Sequence, residues 1–439
     1  MDFLEILGIF RLQLDSSALR IGLVRTCTLW SEFTRLEKKM KKTLAALAVL
    51  GAFAAGSAYA ADVTVYGIVD LGLKYTHEDS DKPHTDATDT LEMKQGGQSG
   101  SRFGLKGSED LGNGLKVGFV LENGFDADTG SLANDGRLFG RESQAYIAGS
   151  FGELSFGRVG QLTSGNGTYG IAGNMSPFGT SWSDAVEGST FQVGFGRFDN
   201  TITYKSPNFA GFNVYAQYSF DANTMDEWTV KDHTGHTEGK STSTRYGALG
   251  ATYGNGALKL AFTADWYNWS NNYNYNETTG ASDGEVDDGY AFTFGGSYDF
   301  QVVKAYFGAQ YFDNILQKSS DSDKEIVFSK IGVGCDGYIK GYSVMAGVDA
   351  PLWGGTGMFA VGYADTEAAD DDYKGVDEAK PESTRWGASV GYTYPLSKRT
   401  NVYGVAGYYQ DKIENKEGKK GEDRDPSKAV VFLGMRHRF

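Results

Sequence analysis

AVVFLGMRHRF, residues 429–439, stands at the end of the chain. Val431, Leu433, Met435, His437 and Phe439 share one parity; Val430, Phe432, Gly434, Arg436 and Arg438 share the other. A period of two puts each set on its own face of a β-strand. The first face is apolar apart from His437, the second ends in two arginines, and Phe439 is the last residue. The fold turns on what kind of sheet this strand joins.

The same alternation recurs upstream. In 212–220, Phe212, Val214, Ala216, Tyr218 and Phe220 alternate with Asn213, Tyr215, Gln217 and Ser219. In 197–205, Phe198, Ile202 and Tyr204 alternate with Arg197, Asp199, Thr201, Thr203 and Lys205. In 63–75, Val63, Val65, Val69, Leu71, Leu73 and Tyr75 face one way. Thr64, Asp70 and Lys74 face the other, where Tyr66 and Ile68 interrupt the polarity. Two-faced strands suit a soluble sandwich as well as a membrane barrel, so the connections must decide. Short links at 108–114, 150–152, 206–211, 254–257, 351–355 and 395–400 alternate with long polar ones at 221–242, 270–287, 314–324, 366–382 and 412–426. Short turns on one side and long loops on the other are the layout of an outer-membrane barrel.

Composition agrees. Sixty glycines, 26 tyrosines and 27 phenylalanines stand beside seven prolines, a balance that favours strands, interfacial aromatics and crowded barrel walls. Beyond residue 60 no run of apolar residues is long enough for a membrane helix, which excludes a helical membrane protein but not a barrel. The expected fold class is all-β: a transmembrane antiparallel β-barrel of about sixteen strands, each about ten residues long. The stretch 327–340 fits least well and reads either as a strand or as a hairpin within a long loop.

Residues 40–60, MKKTLAALAVLGAFAAGSAYA, read as a secretory signal, with a basic start, a short apolar run and a small-x-small ending that places cleavage between Ala60 and Ala61. Met40 is then the expected start, 1–39 a non-native or misassigned extension, and 61–439 the barrel. The formal charge of −15 argues against a nucleic-acid partner. Of the two cysteines, Cys27 lies in the expected extension, so Cys335 has no intramolecular partner in 61–439.

Several blocks resemble one family. VTVYGIVD (63–70) looks like the first strand of general porins of β-proteobacterial, Gram-negative type. SRFGLKGSEDLGNGLKVGFVLENGF (101–125) resembles their second and third strands, FGELSFGR (151–158) their fifth, DNTITYKSPNFAGF (199–212) their sixth and the turn after it, and GMRHRF (434–439) their closing strand. The resemblance covers most strands and none of the loops. It implies a sixteen-stranded outer-membrane barrel, usually a homotrimer, exported through the periplasm and seated in outer-membrane lipid and lipopolysaccharide. It further implies that the terminal Phe439 belongs to a signal read by barrel-assembly machinery. A third loop, here about 159–195, should fold into the pore; its Ser176-Pro177-Phe178-Gly179 loosely resembles a Pro-x-Phe-Gly element of that loop.

A water-filled pore selects by size and by the charge at its constriction. Arg102, opposite in parity to Phe103 and Leu105, and Arg197, opposite to Phe198, are expected to face the lumen. Arg141 shares parity with Ser143 and Ala145, across from Tyr146, and is assigned the same face. All three match positions where anion-selective members of the family carry constriction arginines, whose guanidinium groups stay charged at any working pH. Lys106, Lys116 and Lys205 are further lumenal candidates. Glu122, Asp126, Asp184 and Glu187 are candidates for an opposing acidic edge. The function expected is passive diffusion of small hydrophilic solutes and ions, with a modest anion preference and no cofactor. A substrate-specific channel, using Trp182, Trp266 or Trp269, and a barrel serving mainly as an adhesin are the alternatives.

Catalysis and metal binding find little support. Gly387-Ala388-Ser389-Val390-Gly391 fits Gly-x-Ser-x-Gly, but it falls inside an expected strand and not at the strand-to-helix turn that exposes such a nucleophile. The histidines are His77, His84, His233, His236 and His437; four fall in or beside loops and the last on the apolar parity of the closing strand. His233 and His236 with Asp232 have a ligating spacing that polar loops also produce by chance.

Overall fold

The computed structural model describes residues 63–439 except 83, 166, 180–181, 183–189, 192, 195, 225–228, 231–232, 235–237, 240–242, 270–274, 277–280, 283–286, 317–337, 370–380 and 416–422. The expected signal with Ala60 and Ala61, the loop acids Asp184 and Glu187, Cys335, and residues 327–337 therefore lie outside the described residues, as do Asp232 and His236.

Sixteen antiparallel strands close into a barrel among the described residues. They are β1 (Thr64–Asp79), β2 in two segments (Thr88–Gln95 and Arg102–Gly112), β3 (Leu115–Gly124), β4 (Glu142–Gly149), β5 (Gly152–Gly160), β6 (Arg197–Lys205), β7 (Phe212–Ser219) and β8 (Arg245–Asn255). After them come β9 (Leu258–Asn268), β10 (Gly289–Asp299), β11 (Lys304–Leu316), β12 (Tyr338–Leu352), β13 (Gly355–Ala368), β14 (Pro381–Pro395), β15 (Thr400–Asn415) and β16 (Ser427–Arg438). Each pairs with its neighbours in sequence, and β16 pairs with β1 from Ile68↔Arg438 to Asp79↔Ser427. That last ladder closes the sheet and leaves no edge around the ring, the condition for a sheet to sit in lipid. Two-residue ladders, Thr229–Val230 with His233–Thr234 and Tyr275–Asn276 with Ala281–Ser282, belong to the fourth and fifth loops.

The alternation now has a direction. Val65, Leu73, Leu249, Phe262, Phe292, Phe307, Val361, Val390 and Leu433 are all exposed on the outer wall, where an aqueous surface would not leave so continuous an apolar band. Aromatic residues cluster at both ends of it. Phe209, Phe212, Tyr298, Phe300, Trp353 and Tyr394 stand near the short turns, and Tyr75, Tyr290, Tyr311, Tyr342, Trp386 and Tyr408 near the long loops. This is the double girdle of a membrane barrel. The opposite parity faces inward and is polar: Thr201, Thr203, Thr263, Asp265, Thr293 and Ser343 are buried.

Large lumenal tyrosines are accommodated by glycine on the adjoining strand. A Cβ on Gly104 would strike the Tyr66 ring, one on Gly118 the Tyr146 ring, and one on Gly434 the Tyr403 ring. Tyr66 therefore belongs to the lumenal face it seemed to interrupt, and its hydroxyl donates to Glu122 at 3.0 Å. Outside, the Phe439 ring lies over Gly67, whose N–H and carbonyl each bond the backbone of Phe439.

The third loop, 161–196, folds into the barrel. Its apolar side chains pack on lumenal glycines of five strands: Ile171 on Gly250, Met175 on Gly295 and Gly308, Pro177 on Gly347 and Phe178 on Gly391. Leu162, Tyr169, Ile171, Met175, Phe178, Trp182 and Phe191 are all buried there. Polar ties fix the same course. Thr163 Oγ1 lies 2.7 Å from Thr263 Oγ1, and Gln310 on β11 both donates to the Val193 carbonyl and accepts from its N–H. Without side chains at these glycines, the wall is recessed enough to seat the loop.

Candidate functional site

Arg102 opens the inner segment of β2, Arg141 immediately precedes β4, and Arg197 opens β6. The barrel brings these loop-side ends together. Arg141 Nε donates to Glu122 Oε1 at 2.7 Å, and Arg102 Nη1 lies 3.7 Å from the same oxygen. Arg102 Nε also donates to the carbonyl of Gly100 at 2.9 Å. Arg197 is close enough to Arg102, Arg141 and Arg158 for mutual repulsion and feels the Glu122 charge, but its side chain makes no ion pair or hydrogen bond with any described residue. Two of the three guanidinium groups thus share the Glu122 carboxylate, and Arg197 stands near them without a carboxylate at contact distance. Glu122 stands inside the basic group, with Tyr66 donating to its other oxygen, and does not form an opposing edge.

Two readings of parity need correction. In β4 the buried residues are Glu142 and Gln144, and Gln144 accepts a hydrogen bond from Tyr169 of the third loop. The lumenal parity is therefore that of Glu142, Gln144 and Tyr146, not of Ser143 and Ala145. Arg141 still reaches the lumen because it precedes the strand, where the strand's alternation does not bind it. In β6, Phe198 faces inward, its ring 4.4 Å from Tyr246. The cause is a bulge: Gly157↔Thr201 and Val159↔Phe198 set two steps of β5 against three of β6, and Asn200 takes a positive φ of 48°.

The other candidates separate. Lys106 lies over the Tyr66 ring and Lys205 over the Tyr215 ring, both toward the turn end, while Lys116, second in β3, stands opposite Asp110. Asp126 lies outside the arginine group, where it accepts from Ser131 and from Gln95 Nε2 and so pins the second loop to the outer segment of β2. The third loop approaches the arginines through Thr168, which bonds Glu142; Tyr169, whose hydroxyl donates to Glu153 at 2.8 Å, ties the loop toward the turn end of β5. Burial and the nearby negative Glu153 hold that hydroxyl far above its ordinary range, so it remains a donor.

Three basic residues near this site, Arg436, Arg158 and Arg137, were not singled out in the sequence. Arg436, on the lumenal parity of β16, donates to Ser99 and Asn401. Arg158 pairs with Asp199 at 2.7 Å, as does Arg137 of the second loop at 2.9 Å. Parity in the closing strand could have found Arg436; Arg158 follows a bulge at Gly157, and no sequence signal marked it. The three tryptophans weighed for solute binding are already engaged. Trp182 packs edge-on against Phe178 and Tyr403, Trp269 stacks on Tyr267, and Trp266, on the outer parity, donates to Asp288. Ser389 sits buried in mid-strand, its Oγ without a hydrogen-bond partner among the described residues, so no described base activates it.

Comparison with known proteins agrees with this fold. The profile of a family described as Gram-negative porin matches residues 44–414. An outer membrane porin protein of Bordetella pertussis is 35% identical over 425 residues, covering 91% of this chain and all of that protein. Outer membrane porin protein 32 of Delftia acidovorans is 32% identical over 413 residues, again covering 91% of this chain and all of that protein. Among solved structures, an anion-selective porin from Comamonas acidovorans superposes with a TM-score of 0.54 at 26% identity, covering 86% of this chain and 99% of that one.

Proposed function

This chain belongs to the Gram-negative porin family, and we propose that Arg102, Arg141 and Arg197 line its constriction and give the channel a modest preference for anions. As an outer-membrane porin it passes small hydrophilic solutes through a water-filled barrel. The observation that carries the selectivity is the clustering of three guanidinium groups, Arg141 and Arg102 at 2.7 and 3.7 Å from the one carboxylate Glu122 and Arg197 near enough to repel them, beside an inward-folded third loop. Water and fixed charge select there without a binding step. The structural likeness to an anion-selective porin supports the same reading.

Reversal potentials in planar bilayers under a KCl gradient test it. The unaltered channel is expected to favour chloride, and the triple variant R102Q/R141Q/R197Q to lose that preference while still conducting. Cation preference in the unaltered channel, or an unchanged reversal potential in the variant, would overturn the assignment.

Three further roles fit the family. The chain works as a homotrimer in outer-membrane lipid and lipopolysaccharide; Phe439, paired with Gly67 at the barrel seam, serves barrel-assembly machinery as a recognition signal; and residues 40–60 are removed on export. Intact-mass measurement of the exported protein is expected to find Ala61 first, and a mature form retaining residues before Met40 would contradict it.

A further inference from the structure

The second strand breaks where the first carries a buried carboxylate. Pairing with β1 runs from Thr64↔Lys106 to Ile68↔Arg102 and resumes at Leu71↔Gln95, which leaves 96–101 opposite Val69 and Asp70. That stretch, Gly96-Gly97-Gln98-Ser99-Gly100-Ser101, is a bend laid on the lumenal wall, with Gln98, Ser99 and Ser101 buried. Gly97 touches the wall so closely that a Cβ would strike the Phe432 ring and the Tyr403 hydroxyl. Asp70 is fully buried beneath it. One carboxylate oxygen accepts from the N–H groups of Gln98 at 3.2 Å and Ser99 at 2.7 Å. The other accepts from the Tyr403 hydroxyl of β15, which in turn accepts from the Gln98 N–H at 3.1 Å. The Asp70 N–H donates to Ser101 Oγ at 3.1 Å, and its carbonyl accepts from the Gly96 N–H at 3.0 Å. Both ends and the middle of the bend are therefore tied to one residue.

Arg436 is near enough to attract the Asp70 carboxylate, but it donates to Ser99 Oγ at 2.9 Å and to Asn401. Asp70 forms no ion pair with a described residue; hydrogen bonds from the bend and Tyr403 replace its hydration, as a buried charge requires. The other side of the bend meets the arginines. Arg102 Nε donates to the Gly100 carbonyl at 2.9 Å, the one hydrogen bond of the Arg102 side chain among the described residues. Arg141 stands against the same residue: a Cβ on Gly100 would lie 3.1 Å from Arg141 Nη1, and that guanidinium is all it would meet. An arginine arm has much rotamer freedom, and these arms repel one another, so a fixed acceptor and a fixed wall decide where they stand.

We propose that the 96–101 bend is the template that places Arg102 and Arg141, and that Asp70, by anchoring it, is a positioning residue for anion selectivity. The proposal rests on the arginine reading and adds the element that holds those arginines in place. Asp70 is itself negative and lies in the lumenal wall, so its charge and its anchoring act in opposite directions. As a bare charge it opposes chloride; as the anchor of the bend it favours chloride. The sign of the change on removing it therefore tells the two apart.

Reversal potentials of three variants test this. D70A removes the charge and both acceptor oxygens. D70N removes the charge but keeps one oxygen for the Gln98 and Ser99 N–H groups. G100V leaves Asp70 and its bonds in place and crowds Arg141. At about 0.1 M KCl, where a fixed charge acts over about 10 Å, D70A is expected to lower the chloride-to-potassium permeability ratio about twofold, because the released arginines no longer focus their field on one part of the bore. D70N should retain more of the preference than D70A. G100V should lower the ratio as well, and it decides the matter alone if D70A fails to assemble. Loss of charge alone would instead raise the ratio equally in D70A and D70N. A purely structural anchor would lower the unfolding temperature in detergent and leave every ratio where it was. Equal ratios for D70A and D70N, or G100V at the unaltered ratio, would overturn the proposal. An unaltered channel without chloride preference would overturn the arginine assignment instead, so the two failures are distinguishable.

Discussion

Glu122 decides how much of the arginine charge is felt by a passing ion. Its carboxylate accepts from Arg141 and Tyr66 and lies beside Arg102, so it orders the guanidinium groups while cancelling one of their charges. Both side chains of the Arg141 pair are about 10% exposed, which places the interaction between a weak surface pair and a costly buried one. Glu122→Gln keeps the shape and removes the negative charge. The expected result is a larger chloride preference in reversal-potential measurements, together with a stability loss of about 1–3 kcal/mol from guanidinium groups left without their acceptor. Denaturant unfolding in detergent measures the second effect. A variant with unchanged selectivity would mean that Glu122 does not compensate charge felt by the permeating ion.

At the scale of the element, the third loop is held by shape. Its apolar residues meet glycines contributed by β8, β10, β11, β12 and β14, and each glycine is where the wall must be recessed. Gly391 is the cleanest test, because a Cβ there would lie 2.6 Å from the Phe178 ring and 3.2 Å from the Met358 side chain. Gly391→Val is expected to dislodge Phe178, at an overpacking cost of about 1–3 kcal/mol, and to give a larger or noisier single-channel conductance with the barrel intact. Unaltered conductance would show that the 176–179 segment does not set the bore. This arrangement also marks where reading the sequence ended. Strand alternation is local, so β16, β7 and most of β1 could be read directly, and Arg102 was placed correctly by the parity of Phe103 and Leu105. Phe198 was misplaced, and Arg141 reaches the lumen against the parity assigned to it, because a bulge and a strand start each break the count of two. The course of the loop was not legible from spacing, since Leu162, Ile171, Met175 and Phe178 follow no period and their partners lie on strands far away in sequence. Only the family resemblance supplied it.

For the whole molecule, the acidic total and the basic constriction act over different distances. The formal charge is −15, and acid runs such as Asp370, Asp371 and Asp372 fall in the long connections, whereas the arginine group sits where the second, fourth and sixth strands meet the loop end. An ion in the lumen feels fixed charge across roughly one Debye length, about 10 Å at 0.1 M salt and about 3 Å at 1 M. At low salt the arginines therefore reach across a narrow bore, and loop acids lying beyond that distance contribute little. At high salt even the arginines are screened before their field spans the opening. The chloride-to-potassium permeability ratio is accordingly expected to be highest near 0.1 M and to fall toward unity near 1 M, while R102Q/R141Q/R197Q stays near unity throughout. Reversal potentials at fixed concentration ratio and varying mean concentration measure this. A preference independent of ionic strength would point to contact recognition at a dehydrated site, not to a field acting through water, and would move the porin from charge-biased diffusion toward specific binding.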